Sequence, residues 1–146
     1  MNRKRLDILL SLTGAGTFIP GLLEILLGLV GETYTWQILT FGGDFTVWRG
    51  LILLAAGALF FFAINQPNPV QKRAQAVLAC SMIWIIGGIE ILSTILNSIP
   101  GGEGAWINTA GEFLSHFTGP FTPSVLLLPI SILLVILVTS NEAKNG

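Results

Sequence analysis

The stretch LDILLSLTGAGTFIPGLLEILLGLV, residues 6–30, decides the fold of this chain. A helix that crosses a bilayer needs about 20 mostly apolar residues, because about 30 Å of hydrocarbon is crossed at 1.5 Å per residue. Basic residues precede the run, as in a signal peptide, but it is too long for an ordinary signal-peptide core. We therefore expect a retained membrane-spanning helix over residues 6–30.

Three further apolar segments meet the same requirement, at residues 45–64, 74–99 and 121–138. The composition agrees, since 52% of the 146 residues are apolar and 10% are charged, whereas a soluble domain is about one-quarter charged. The sequence predicts one all-α domain over residues 1–146, a polytopic membrane protein with four transmembrane helices arranged as two helical hairpins. With 7 basic and 8 acidic residues, binding to nucleic acid is not expected.

The basic residues predict the orientation, because Lys and Arg in short loops are held on the cytoplasmic side. Most of them fall at one end of the predicted bundle: Arg3, Lys4, Arg5, Lys72, Arg73 and Lys144. The opposite end carries acidic residues and Arg49. Both termini are therefore predicted to be cytoplasmic, and the two longer connections external.

The first and third segments contain the same short pattern. Gly21 stands three residues before Glu24, and Gly87 stands three residues before Glu90. The connections that follow repeat a Gly-Glu pair, a Trp and a Gly-acidic-Phe triplet at similar spacing. The pattern favours an internal repeat of two hairpins in parallel orientation, with chance similarity in a chain rich in Gly, Ile and Leu as the alternative.

Charged residues inside the predicted spans are costly, by about 2.5 kcal/mol or more at the bilayer centre, so each needs a partner or a proton. Glu24, Arg49 and Glu90 lie at one depth near the external side, and His116 precedes the fourth segment at nearly the same depth. The repeat suggests the pairs Glu24 with Arg49 and Glu90 with His116, while depth allows cross-pairing equally. The four residues tie the bundle together, form an outward-facing pocket that holds a ligand headgroup or exchanges a proton, or contact another subunit.

Small residues and aromatic residues define two further sets. Glycines at helical spacing let neighbouring backbones approach closely; the predicted packing positions are Gly14, Gly21, Gly28, Gly50, Gly57 and Gly87. Aromatic residues in the external segments suit the headgroup level of a bilayer; these interface anchors are Tyr34, Trp36, Trp48 and Trp106. An interfacial helix is expected over residues 103–117, and the fourth segment looks apolar on every side.

The chain lacks a phosphate-binding loop, a nucleophile elbow and a zinc-binding cluster motif. No catalytic residue and no metal site are therefore predicted. A quinone, a lipid or a pigment is compatible with the sequence, but none is required by it.

The second and third segments resemble the DoxX-like group of small four-helix membrane proteins. The similarity rests on Trp48-Arg49-Gly50 opening a segment that reaches Gly57, a proline-bearing turn, Arg73 near the start of the next segment, and Gly87-Gly-Ile-Glu90. The resemblance implies a four-helix bundle associated with a quinone or a redox complex. It marks Arg49 and Gly50 as candidate positions.

The sequence as a whole favours a non-catalytic accessory or assembly subunit of a larger membrane complex. The alternatives are a DoxX-like quinone-linked redox subunit with an outward pocket, and a protein that binds or transports a lipid or small molecule. Expected partners are membrane lipids together with other membrane subunits or further copies of the chain. The expected location is a prokaryotic-type cytoplasmic membrane or an energy-transducing membrane.

Overall fold

The computed structural model describes residues 3–43, 45–97 and 119–140. Within these ranges lie four α-helices and one two-stranded sheet, in the order α1 Arg3–Val30, β1 Tyr34–Trp36, β2 Leu39–Phe41, α2 Thr46–Ile64, α3 Pro69–Asn97 and α4 Pro123–Ser140. Each of the four helices is long and apolar enough to cross a membrane. The predicted helical membrane fold is confirmed at this level, and the chain is an integral membrane protein. The predicted helix over residues 103–117 lies outside the described residues.

The third helix begins earlier than the sequence analysis expected. Its first residue is Pro69, inside the stretch assigned to the turn, because Asn68 caps the helix by accepting the Val70 backbone N–H on its Oδ1 at 3.0 Å. Proline is well suited to the first helical position, where its missing N–H is not needed. Lys72 therefore belongs to the first turn of α3 and not to the connecting loop.

The four helices pack as a bundle in which α1 contacts α2, α2 contacts α3, α3 contacts α4, and α4 returns to α1. The closest approach is between α1 and α2. A Cβ added to Gly21 would lie 2.6 Å from the Leu54 backbone nitrogen, and one added to Gly50 would lie 2.7 Å from the Gly21 carbonyl oxygen. The backbones of the two helices thus meet directly, as they do where small residues line a membrane helix interface.

The other predicted packing glycines meet side chains as well as backbone. A Cβ at Gly57 would lie 2.7 Å from the Phe18 Cβ, and one at Gly87 would lie 2.8 Å from the Leu128 Cγ. Gly14 and Gly28 also face α2. Gly21 and Gly87, the two glycines of the repeated pattern, each face the helix that follows in their own predicted hairpin.

The fourth helix is not apolar on every side. Its buried face includes two serines and recurs at steps of three and four residues: Ser124, Leu127, Ser131, Leu134 and Val138. The Trp84 indole N–H of α3 donates to the Ser131 hydroxyl at 2.8 Å, and that hydroxyl donates to the Leu128 carbonyl at 2.7 Å. The small polar side chains of α4 are therefore used to join α4 to α3, while its opposite face stays apolar and exposed.

A short β-hairpin, which the sequence analysis did not predict, follows α1. Strands β1 and β2 pair antiparallel, with Tyr34 opposite Phe41, around a tight turn in which Gln37 has φ 53°. The segment before α4 docks on this hairpin: the Phe121 N–H donates to the Ile38 carbonyl at 2.6 Å, and the Thr40 N–H donates to the Phe121 carbonyl at 2.9 Å. The hairpin thus joins the first connection to the start of α4. We call this end of the bundle, where α1 ends and α2 and α4 begin, the hairpin end.

Candidate functional site

Three charged side chains from three helices meet near the hairpin end. Arg49 stands in the first turn of α2, Glu24 in the last two turns of α1, and Glu90 two turns before the end of α3. The Arg49 Nε–H donates to Glu24 Oε1 at 2.8 Å, and the Arg49 Nη1–H donates to Glu90 Oε1 at 2.5 Å. We refer to these three residues as the Arg49 cluster.

Local packing positions the two acids. Gly21 lies three residues before Glu24 on the same face of α1, and its close contact with α2 brings that face against the start of the second helix. On α3, Gly87 faces the Leu128 side chain of α4, and Glu90, three residues later, binds the guanidinium of α2. One arginine with its fixed fork of N–H groups can bind two carboxylates in this way, which a lysine ammonium on a flexible stem matches poorly.

Burial differs among the three members of the cluster. The Glu24 side chain is 0% exposed and that of Arg49 is 6% exposed, whereas that of Glu90 is 30% exposed. The second carboxylate oxygen of Glu24, Oε2, is buried and meets no hydrogen-bond donor among the described residues. The cluster is therefore closed at Glu24 and open toward its surroundings at Glu90.

A backbone carbonyl completes the arginine's contacts. The Arg49 Nη2–H donates to the Gly42 carbonyl at 3.1 Å, so the guanidinium also holds the residue that follows β2. Gly42 has φ 141°, and a Cβ at this position would lie 2.4 Å from the Thr33 Cγ2. Glycine is needed here for both reasons. The sequence analysis missed Gly42, since a residue that acts through its carbonyl leaves no side-chain signal.

The pairing differs in part from the sequence expectation. Arg49 binds Glu24, as the repeat suggested, and it also binds Glu90 in the cross-pairing that depth allowed. His116 and Trp106 lie outside the described residues, so a contact between Glu90 and His116 stays a prediction. The other predicted anchors are exposed at or next to the hairpin end, with exposed fractions of 57% for Tyr34, 58% for Trp36 and 66% for Trp48.

A second charged contact lies at the opposite end of the bundle. The Lys72 ammonium of α3 is buried, and it donates to Asp7 Oδ1 of α1 and, at 3.3 Å, to the Ile64 carbonyl at the end of α2. From the sequence, Lys72 is predicted between the second and third helices, and Asp7 is not among the predicted site residues. Asp7 and Lys72 each lie near the end of an apolar segment. Their pairing can be predicted only when it is known which faces of α1 and α3 meet.

An open groove of about 300 Å³ lies at the start of α2, and the described residues that line it are uncharged: Gly28, Gly43, Phe45, Thr46, Val47 and Trp48. Across residues 3–43, 45–97 and 119–140, no three His, Cys, Asp or Glu side chains are grouped so that they could hold a metal ion. The charged groups of the Arg49 cluster are one guanidinium and two carboxyl groups. This arrangement can bind a proton or a hydrogen-bonding group that reaches Glu90.

Comparisons with family models, with curated proteins and with solved structures give no match. The fold and the cluster define the chain as a helical integral membrane protein with an intramembrane ion cluster. The resemblance to the DoxX-like group stays a prediction.

Proposed function

We propose that the protein is a non-catalytic accessory or assembly subunit of a larger membrane complex. The observation that carries the proposal is the way in which the intramembrane polar side chains bind one another. Arg49 joins α1, α2, α3 and the hairpin, Lys72 joins α1, α2 and α3, and Trp84 joins α3 to α4. Polar groups used in this manner stabilise a scaffold.

The outer faces of the helices support the same proposal. Every helix exposes large apolar side chains, and α4, the most apolar of the four, exposes Ile132, Leu133 and Ile136 next to one another along the helix. Such a face suits lipid tails and equally suits a neighbouring transmembrane helix. We assign the exposed face of α4 to a partner subunit.

The test isolates the protein from native membranes in a mild detergent through a tag at the C-terminus. We expect a stoichiometric membrane protein to accompany it as a single species on native gels. The variant Leu133→Trp enlarges the exposed face of α4, which lipid accepts and a packed subunit interface does not, so the partner should be lost while the protein itself stays folded. Leu12→Trp is the matched control, because Leu12 is 67% exposed on α1. A protein that is recovered alone, or a partner that survives Leu133→Trp, contradicts the proposal.

A second candidate function follows from the partial exposure of Glu90. A carboxylate bound to a buried arginine at the open side of the cluster suits an outward pocket for a lipid or small-molecule headgroup, including the quinone that the DoxX-like resemblance implies. Recovery of the protein alone with a bound quinone or lipid, and loss of that molecule in Glu90→Gln, would favour this function. The accessory subunit instead tolerates Glu90→Gln without losing its partner.

The proposed orientation places both termini in the cytoplasm and the hairpin end outside. It rests on the clustering of Lys and Arg at the opposite end of the bundle. In a Cys80→Ala background, which removes the one native thiol, we expect Thr35→Cys in β1 to react with a membrane-impermeant thiol reagent in intact cells. Gln71→Cys, exposed in the first turn of α3, should react only after the cells are opened. The reverse labelling pattern would invert the topology.

A further inference from the structure

The Glu24 carboxyl group has one oxygen that meets no hydrogen-bond donor among the described residues. Oε1 accepts the Arg49 Nε–H, whereas Oε2 is buried without such a donor, and the side chain is 0% exposed. Buried polar atoms in proteins are nearly always paired, and an ionised carboxylate in an apolar environment is far more costly to leave unpaired than a neutral one. Because Glu24 is 0% exposed, a group that reaches Oε2 from outside the protein has to be as small as a proton or a water molecule.

The charges of the cluster do not balance. Ionised Glu24 and Glu90 carry two negative charges against the single positive charge of Arg49. The described neighbours that contact the cluster add no charge: the residue after β2 contributes the Gly42 carbonyl, and α4 contains no ionisable side chain. Asp44, Glu103, Glu112 and His116 lie outside the described residues. Two carboxylates that share one site resist simultaneous ionisation, and a net charge within the bilayer is costly.

In the charged contact at the opposite end of the bundle, the charges of the two residues balance. Asp7 and Lys72 are one acid and one base, and the ammonium has a further carbonyl acceptor at Ile64. The Arg49 cluster differs from it by one carboxyl group. Each contact has one partly exposed acid, since Glu90 is 30% and Asp7 is 34% exposed, but only the Arg49 cluster has a second acid, Glu24, that is enclosed.

We propose that the Arg49 cluster holds one exchangeable proton, carried by the carboxyl groups of Glu24 and Glu90 and exchanged with the hairpin end through Glu90. Uptake adds a proton from water to a carboxylate oxygen and makes a neutral carboxylic acid. Arg49 keeps its charge, so the three residues change from a net charge of minus one to zero, and no electrons are transferred. This inference goes beyond the accessory role and does not depend on it.

The test is infrared difference spectroscopy of the purified full-length protein in lipid as the pH is changed. A protonated carboxyl group gives a C=O stretching band well separated from the carboxylate bands, and an exchangeable proton shifts that band in deuterated water. Near neutral pH, where exposed carboxyl groups are ionised, we expect the wild-type protein to show such a band and Glu24→Gln to lose it. Asp7→Asn is the matched control, because its carboxylate belongs to the balanced contact with Lys72, and the band should persist.

If Glu24→Gln does not fold, Glu90→Gln provides a second test of the proposal. Removal of the second carboxyl group balances Arg49 with Glu24 alone, so this variant should also lose the band. Absence of the band from the wild-type protein near neutral pH would overturn the proposal, since both acids would then be ionised and another cation, such as a sodium ion or the imidazolium of His116, would supply the charge. Persistence of the band in both glutamine variants would assign it to a different carboxyl group and overturn the proposal as well.

Discussion

Replacement of Arg49 by methionine is expected to lower the free energy of unfolding by about 3–5 kcal/mol, the cost of removing one partner from a buried ion pair. Methionine fills part of the volume but leaves Glu24 enclosed without its counter-charge. It also breaks the contacts of the guanidinium with Glu90 and the Gly42 carbonyl. Denaturant titration of the purified protein in detergent, followed by tryptophan fluorescence, measures the loss.

A double variant separates the loss of the pair from the loss of the arginine's volume. Glu24→Gln combined with Arg49→Met removes both charges of the enclosed contact, so it should recover a substantial part of the stability that Arg49→Met loses. Arg49→Lys keeps the charge but cannot reproduce the three-way contact, and we expect it to fall between the wild type and Arg49→Met. Wild-type stability in Arg49→Met would show that the cluster does not hold the helices together.

Gly21→Ala is expected to destabilise the bundle by about 1–3 kcal/mol, the usual range for overpacking a filled core. The added methyl group would stand 2.6 Å from the Leu54 nitrogen and 2.9 Å from the Gly50 carbonyl oxygen. These are backbone atoms of α2, so relief requires the two helices to separate and not just a side chain to rotate. Separation also moves Glu24, one turn away, from Arg49. The same denaturant titration measures the effect.

Gly16→Ala is the matched control on the same helix, because a Cβ at Gly16 would meet nothing within 4 Å. Alanine is also the better helix former, by about 1 kcal/mol in water, so Gly16→Ala should leave stability unchanged or raise it. If the two variants lose equal stability, the effect lies in the glycine content of α1 and not in its contact with α2. If neither loses stability, α1 and α2 are not held at the distance described here.

The repeated pattern of Gly21 with Glu24 and Gly87 with Glu90 predicted that both glycines pack against a neighbouring helix. It did not predict which residue each acid binds. Each glycine faces the next helix of its own hairpin. The two acids, however, converge on the single Arg49, whereas a strict repeat would give each hairpin its own pair. The duplication itself stays a prediction, because the segment that contains His116 lies outside the described residues.

The sequence by itself determined that the chain is a membrane protein with the four helices seen in its described part, and it predicted one depth for Glu24, Arg49 and Glu90. These properties are local, because the length of an apolar run and the spacing of small residues along one helix can be read from the sequence without knowing which helices lie beside it. The tertiary structure alone decided that Arg49 takes both acids, that Lys72 is buried against Asp7, and that α4 has a buried serine-bearing face. Partner choice depends on which helix faces meet across the bundle. The Gly42 carbonyl and the hairpin that carries it depend on backbone geometry, which side-chain patterns do not encode.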